Sequence, residues 1–246
     1  MDFARVLQES LWPLLLSGWG ATILFSVISI VIGLALGLGS CLMDQSKRRV
    51  PRVISKVYVW IIRGTPMVVQ AMFVYFAVPQ LVQLVFPAFR MNVIAAGIIT
   101  LSLNAGAYLS EIFRGGIQAV DKGQIEAARS LGMSSSRTMA RIVLPQAVRI
   151  ATPSMVNQFI ITIKDSSILT IIGLPELATN AGIYVGATYQ YVATWVVVAV
   201  LYLIPISVLM VISKRFEKKM AYDRPDAQDR VAATPSQTDK AAEGAA

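Results

Sequence analysis

The feature that most constrains this chain is a long segment near its start, residues 10–43, that contains no charged side chain. As one α-helix these 34 residues would extend about 51 Å, whereas the hydrocarbon core of a bilayer is about 30 Å thick. A segment this long and this apolar predicts a membrane-spanning helix, which we place at roughly residues 18–42. The glycines Gly33, Gly37 and Gly39 in its second half predict close packing against another helix.

The composition of the whole chain supports a membrane protein. Of its 246 residues 55% are hydrophobic and 15% are charged, and the mean hydropathy is +0.62, which excludes an ordinary soluble domain. The sequence has no histidine and a single cysteine, Cys41, so it has no His-based catalytic triad, no internal disulfide and no metal-binding motif. A GxxxxGK[ST] loop is also missing, which excludes nucleotide binding of the P-loop kind. We therefore expect no enzyme activity, no metal and no cofactor in this chain.

Four further apolar runs predict four more spans, at roughly residues 58–84, 92–110, 151–172 and 193–212. Of the 22 Lys and Arg residues, 18 lie in three segments, residues 44–56, 111–150 and 214–246. Positive charge accumulates on the cytoplasmic side of membrane proteins, so these three segments should share that side. The sequence therefore predicts an all-α integral membrane protein with five spans, an outside N-terminus and a cytoplasmic C-terminus. The net charge of +8 then reflects the inner leaflet and not nucleic acid.

The chain divides into two parts by composition. Residues 1–222 form the predicted transmembrane domain, with a cytoplasmic loop at 112–149. Residues 223–246 are poor in apolar bulk and predict a disordered cytoplasmic tail.

A polar stretch inside the cytoplasmic loop, residues 121–145, predicts a helix–turn–helix bracket. Asp121 is a suitable N-cap, and Gly132 can end the first helix in the left-handed conformation. Ser134 offers a new N-cap, and we expect Pro145 to end the second helix. Spacing alone leaves an ordinary connecting loop as an equal alternative.

Three stretches of the sequence carry a resemblance to a known family. The residues of the bracket match the EAA signature of ABC-importer permeases at every fixed position: Glu126, Ala127, Ala128, Gly132, Ile142, Leu144 and Pro145. Two flanking stretches resemble the polar amino acid subfamily, Arg63-Gly64-Thr65-Pro66 and Lys164-Asp165-Ser166-Ser167. Over roughly residues 14–216 the chain thus resembles the permease subunits of histidine-, glutamine- and arginine-type importers.

This resemblance implies a type I importer permease fold and a function in ATP-driven import of a polar amino acid across the bacterial inner membrane. It also implies partners: a dimer of ABC ATPase subunits that bind ATP and Mg, a second permease subunit, identical or homologous, and a soluble substrate-binding protein. Nucleic acid is not among them. By resemblance, one segment of the bracket is the coupling helix that contacts the ATPase, and its residues are Gln124, Glu126, Ala127, Ala128, Leu131 and Gly132.

Polar groups within the predicted spans are candidates for the substrate pathway. A charge at bilayer depth costs about 2.5–3.5 kcal/mol on insertion scales, so it should face protein, a partner or water. Lys164 and Asp165 lie in the fourth span, where an ammonium and a carboxylate could hold a zwitterion, although a locally compensated pair is the alternative.

The second and third spans supply the other pathway candidates. Arg63 and Thr65 flank the helix-breaking Gly64 and Pro66, which suggests a gate, although Arg63 could instead extend to the headgroups. Asn104 and Glu111 lie seven residues apart, on one face of a helix. The alternatives are that Asn104 only joins two helices and that Glu111 only marks the water boundary.

Two other functions fit parts of this pattern. One is an ABC permease for another solute, such as methionine. The other is an ion-coupled secondary transporter or channel, which the buried charges allow but which the short chain and the EAA bracket disfavour.

Overall fold

The computed structural model describes residue 8 and residues 11–222, and within this part the chain forms helices and connecting turns without a β-strand. After a π-helical turn at Leu11–Leu16, the described chain forms eight helical segments: α1 (Ser17–Asp44), α2 (Arg49–Gly64), α3 (Met67–Gln83), α4 (Val93–Gln118), α5 (Lys122–Ser130), α6 (Ser135–Ile172), α7 (Leu177–Thr188) and α8 (Tyr191–Tyr222). The predicted tail at 223–246 lies outside the described residues.

Among the described helices, α1, α4, α6 and α8 are each long and apolar enough to cross a membrane. A fifth span exists only if α2 and α3 count together, and these two helices are bent by 111° relative to each other. The predicted break at Gly64–Pro66 is therefore present. The start of the span predicted at roughly 58–84 is placed too late, because the helix that leads into the break already begins at Arg49.

A close helix contact in the core lies between α1 and α4. Cβ atoms built at Gly33 and Gly37 would lie 3.0 Å from Ala105 Cβ and 2.7 Å from Leu109 Cβ, respectively. The contacts advance in the same direction along both helices, so α1 and α4 run parallel. Two parallel spans require the α2–α3 segment between them to return the chain across the membrane. By contrast, a Cβ at Gly39 would have open space around it.

The remaining spans pack on this pair. Gly116 of α4 lies against the carbonyl oxygen of Ala147, whereas Leu109 lies in a cluster with Phe159, so α6 runs antiparallel to α4. The last span, α8, packs on α6 through Ile206.

The helix after the bracket differs from the expectation. Pro145 does not end it, because α6 continues from Ser135 to Ile172. A π-helical turn at Met139–Val143 precedes the proline, and the backbone N–H of Leu144 donates to the carbonyl oxygen of Met139. The wider π turn accommodates a residue whose ring would otherwise clash with the preceding turn.

We predict that Gly37→Val destabilises the protein, because its side chain would enter space already filled by Leu109 and by the carbonyl oxygen of Gly106, 2.9 Å away. The expected loss in free energy of unfolding is about 2 kcal/mol, typical of an overpacked core. Thermal unfolding of the detergent-solubilised protein measures it. Gly39→Val, in the same helix but facing open space, is the matched control, and equal midpoints for the two variants would contradict the close contact.

Candidate functional site

The break between α2 and α3 is built by two residues, Thr65 and Pro66. A proline disfavours the α conformation in the residue before it, and Thr65 is accordingly extended, with φ −121° and ψ 146°. Pro66 itself starts the next helix with φ −64°. The chain therefore leaves one helix and enters another within two residues, and carbonyl oxygens at the end of α2 lose their helical partners.

The Thr65 hydroxyl donates to the freed carbonyl oxygen of Ile61 at 2.8 Å, and the other freed carbonyls are satisfied by the side chain of Gln70. Its Nε2 lies 2.7 Å from the carbonyl oxygen of Ile62 and 3.0 Å from both the carbonyl oxygen and Oγ1 of Thr65. Its Oε1 accepts a hydrogen bond from Asn104 Nδ2 at 3.2 Å. Gln70 was not among the residues predicted from the sequence. The available signal was a lone amide side chain in an apolar run, a few residues after a helix-breaking proline.

Next to this amide cluster lies a cluster of charges. Glu111 Oε2 lies 3.3 Å from Arg63 Nη1 and 2.6 Å from Arg114 Nη2, and Arg114 Nε also donates to Glu111 Oε1. The guanidinium of Arg63 stacks 5.3 Å from the ring centre of Tyr108. One carboxylate therefore faces two guanidinium groups, which leaves one positive charge available to a ligand or partner.

These charges line a cleft of about 690 Å³ between α2 and α4. Its wall includes two further charged residues, Asp44 and Lys56. Oδ1 of Asp44 is buried and has no hydrogen-bond partner within the described part of the chain. A cleft with carboxylates and cations side by side suits a small ligand that carries both charges.

The structure thus brings four of the six predicted pathway residues together: Arg63, Thr65, Asn104 and Glu111. Asn104 and Glu111 do lie on one face of α4, and both contact residues at the α2–α3 break.

The other two pathway residues, Lys164 and Asp165, lie apart from this cluster. They lie in α6 just before its 3₁₀ segment, Ser166–Ile172, where Lys164 is exposed and Asp165 is half-buried. In the part of the chain that the structure describes, they form no salt bridge with each other or with Arg63 and Glu111.

The predicted bracket has the expected local geometry. Asp121 Oδ1 accepts from the backbone N–H of Gly123 at 2.6 Å, and this bond caps α5. Gly132 has φ +80°, the left-handed conformation that ends a helix. Ser134 caps the next helix through the backbone N–H of Arg137.

The residues of the predicted coupling segment face two directions. Ala128 is buried against the protein, and Gln124 accepts a hydrogen bond from Gln146 Nε2 at 2.6 Å, which ties α5 to α6. Glu126 and Ala127 are exposed, and Leu131 is 85% exposed. Ala128 and Leu131 therefore do not share one buried face, because Leu131 lies at the end of α5, where the helix stops.

A fully buried carboxylate that was not predicted from the sequence, Glu176, joins three parts of the fold. Its Oε2 accepts hydrogen bonds from Thr22 Oγ1 of α1 at 3.1 Å and from the Tyr202 hydroxyl of α8 at 2.8 Å. Its Oε1 accepts from the backbone N–H of Thr179 at 2.8 Å and caps α7. The signal was in the sequence, because Glu176 is the only charged residue between Asp165 and Lys214.

Comparison with known proteins gives consistent matches. Residues 29–222 match the model of a family described as binding-protein-dependent transport system inner membrane component. The chain is 37% identical over 220 residues to the arginine transport system permease protein ArtQ of Bacillus subtilis, covering 89% of this chain and 97% of that protein. It is 36% identical over 215 residues to the glutamine transport system permease protein GlnP of Escherichia coli strain K12, covering 86% and 96%.

Solved structures agree with these matches. The chain superposes on a chain from a crystal structure of an amino acid ABC transporter with histidines with a TM-score of 0.82 and 33% identity, covering 89% of this chain and 99% of that chain. It also resembles a chain of the MetNI methionine ABC transporter in an inward-facing conformation, with a TM-score of 0.71 and coverage of 86% and 98%. At 18% identity the second likeness shows the shared fold alone.

We predict that Glu176→Ala lowers the free energy of unfolding by about 3 kcal/mol, because buried hydroxyl groups of Thr22 and Tyr202 lose their acceptor. Glu176→Gln should recover part of this loss, since its amide oxygen still accepts. Thermal unfolding in detergent measures both variants. Glu126→Ala, which removes an exposed carboxylate, is the control and should leave the midpoint unchanged. A similar midpoint for Glu176→Ala and the control would show that the buried carboxylate does not hold the three helices.

Proposed function

The chain belongs to the family of binding-protein-dependent transport system inner membrane components, and from this premise we propose that it is the transmembrane subunit of an ATP-driven ABC importer of a polar amino acid. The observation that carries the proposal is the extent of the match. It covers residues 29–222, which include both the helix break and the bracket, and full-length relatives are named as glutamine and arginine permeases.

The proposed importer also needs subunits other than this chain. The sequence contains no P-loop motif, so ATP and Mg are bound by a pair of ATPase subunits. A second permease subunit, identical or homologous, completes the path, and a soluble binding protein delivers the amino acid. The assembly lies in the bacterial inner membrane, with the N-terminus of this chain outside and its C-terminus in the cytoplasm.

The bracket, residues 121–145 within the loop at 112–149, is the proposed contact with the ATPase. Its geometry supports this role, because α5 is tied to α6 through Gln124 while the opposite side of α5 is open. The small exposed Ala127 allows a partner to approach closely, and the apolar Leu131 offers a side chain to bury. The turn at Gly132 sets the direction of the chain after α5. A force applied to α5 would pass directly into the long helix α6.

The cleft beside the α2–α3 break is the proposed inner part of the substrate pathway. A substrate carboxylate matches the guanidinium groups of Arg63 and Arg114, and a substrate ammonium matches Glu111 and Asp44. The salt bridge between Arg63 and Glu111 is partly exposed, and such pairs contribute at most about 1 kcal/mol, so it can open for a ligand at small cost.

Two residues extend the proposed pathway away from this cleft. Lys164 and Asp165 lie at the other end of α6 from the bracket, where they provide a second ammonium and carboxylate. The rearrangement that connects the two sites is the one that the ATPase drives through the bracket.

The direct test is reconstitution of the complete complex in vesicles. We expect its ATPase activity to rise with the loaded binding protein, and uptake of one amino acid from a panel of polar amino acids to require internal ATP. Uptake that follows a proton or sodium gradient and proceeds without the ATPase would instead support a secondary transporter.

We predict that Leu131→Asp reduces copurification of the ATPase subunit with this chain at least tenfold, because a buried charge would replace an apolar contact. Pull-down of the tagged permease followed by quantitative immunoblotting measures it. Leu84→Asp is the matched control, since Leu84 is 82% exposed but lies at the end of α3, in a different part of the fold. Full copurification of the ATPase with Leu131→Asp would argue against the bracket as the contact.

We predict that Arg63→Met lowers ATP-dependent uptake about tenfold or more in proteoliposomes. A lost charge-assisted hydrogen bond costs about 1.5–3 kcal/mol, and 1.4 kcal/mol corresponds to tenfold. Arg90→Met removes an exposed arginine outside the helices and should leave uptake unchanged. If both variants transport at the wild-type rate, Arg63 does not contribute to the path.

A further inference from the structure

Helix α2 has three distinct faces, and one of them holds the helix to the protein. Ser55 is 2% exposed and its Oγ donates to the carbonyl oxygen of Ser40 at 2.7 Å. One turn further on, the hydroxyl of Tyr58 donates to the carbonyl oxygen of Leu103 at 2.7 Å. At 100° per residue these contacts occupy one side of α2.

A second face of α2 is apolar and open. Val50, Val53, Ile54, Val57 and Ile61 follow helical spacing, and each is between 45% and 70% exposed. No described part of the chain covers this stripe. Its width and its position beside the bundle suit acyl chains, which need no shape-matched partner.

The third face of α2 is basic. Arg49, Arg52 and Lys56 lie within about 60° of one another around the helix axis, and all three are exposed. Arg52 donates two hydrogen bonds to the carbonyl oxygen of Ser46 and keeps further N–H groups available. Residues 45–64 contain no acidic residue. Lys56 shares the wall of the cleft with Asp44 and Glu111, whereas Arg49 and Arg52 lie outside that wall.

The boundary between the basic and apolar faces is occupied by Trp60, which lies at the rim of the cleft and is 75% exposed. Tryptophan is enriched where the hydrocarbon meets the headgroups, because its ring is apolar and its N–H is polar. The sharp bend adds a geometric argument. Because α3 lies at 111° to it, α2 runs across the direction of α3, as a helix in the plane of the membrane does.

We propose that α2 lies in the headgroup layer of the membrane and binds anionic phospholipid through Arg49, Arg52 and Lys56, with its apolar stripe among the acyl chains. Charge complementarity selects this occupant. A second copy of this chain placed symmetrically against the same face would bring the two sets of cations together without an acid to pair them. This inference does not depend on which solute is transported.

The proposal can be tested by quenching of Trp60 fluorescence in vesicles. The full-length chain is reconstituted in phosphatidylcholine vesicles that contain, at matched mole fraction, either dibrominated phosphatidylglycerol or dibrominated phosphatidylcholine. The difference between the wild type and Trp60→Phe isolates the signal of Trp60 from that of the other three tryptophans. We expect quenching by the anionic lipid to exceed quenching by the zwitterionic lipid about threefold or more, and the ratio to fall as salt is raised.

The variants separate charge from structure. The ratio of quenching by the anionic lipid to quenching by the zwitterionic lipid should fall close to one in the triple variant Arg49→Gln, Arg52→Gln, Lys56→Gln. It should be preserved in the double variant Arg49→Lys, Arg52→Lys. The matched control removes three exposed cations of the bracket region, through Lys122→Gln, Arg137→Gln and Arg141→Gln, and should leave the ratio unchanged.

Two results would overturn the proposal. Equal quenching by both lipids in the wild type would show an apolar contact without anionic selectivity. Absence of quenching by either lipid, together with a disulfide between copies that carry Val53→Cys, would show that a second subunit covers the face.

Discussion

The structure depends on how the chain interrupts a helix inside an apolar environment. Carbonyl oxygens that lose their helical partners need new donors, and each group left unsatisfied in an apolar environment costs several kcal/mol. At the α2–α3 break the cost is offset by the amide of Gln70, which reaches back to Ile62 and Thr65. Asn104 of α4 in turn holds that amide. A neighbouring helix thus adds to the hydrogen bonds that the interrupted segment makes within itself.

This support has consequences for the site. The change of direction at the break allows α2 to leave the line of α3, and a cleft opens between α2 and α4. The same face of α4 that carries Asn104 also presents Tyr108 and Glu111 to Arg63. One face of α4 therefore both supports the amide of Gln70 at the break and forms a charged wall of the cleft.

A second buried polar centre holds the opposite part of the molecule. Glu176 connects α1, α7 and α8 through one carboxylate, in a segment of the sequence that carries no other charge. Between these two centres the contact is apolar, and the glycines of α1 allow a close approach to α4. The chain combines tight apolar packing with a few polar junctions, and the proposed functional residues lie at or beside one of those junctions.

The sequence by itself determined the all-helical class, the family and the local geometry of the bracket. Those features follow from the length of apolar runs, from motif spacing and from caps such as Asp121 and Gly132, all of which act over a few residues. It also placed Asn104 and Glu111 on one helix face, since helical periodicity is local.

Only the tertiary structure decided which polar residues meet. Gln70 and Glu176 gained their importance from partners on other helices, 26 or more residues away, and no local pattern encodes such contacts. The separation of Lys164 from Arg63, and the helical continuation through Pro145, are equally non-local results. The direction of α2 also could not be predicted from local sequence. The bend that follows Gly64 depends on where α3 packs against α4 and α6, and the whole bundle fixes that packing.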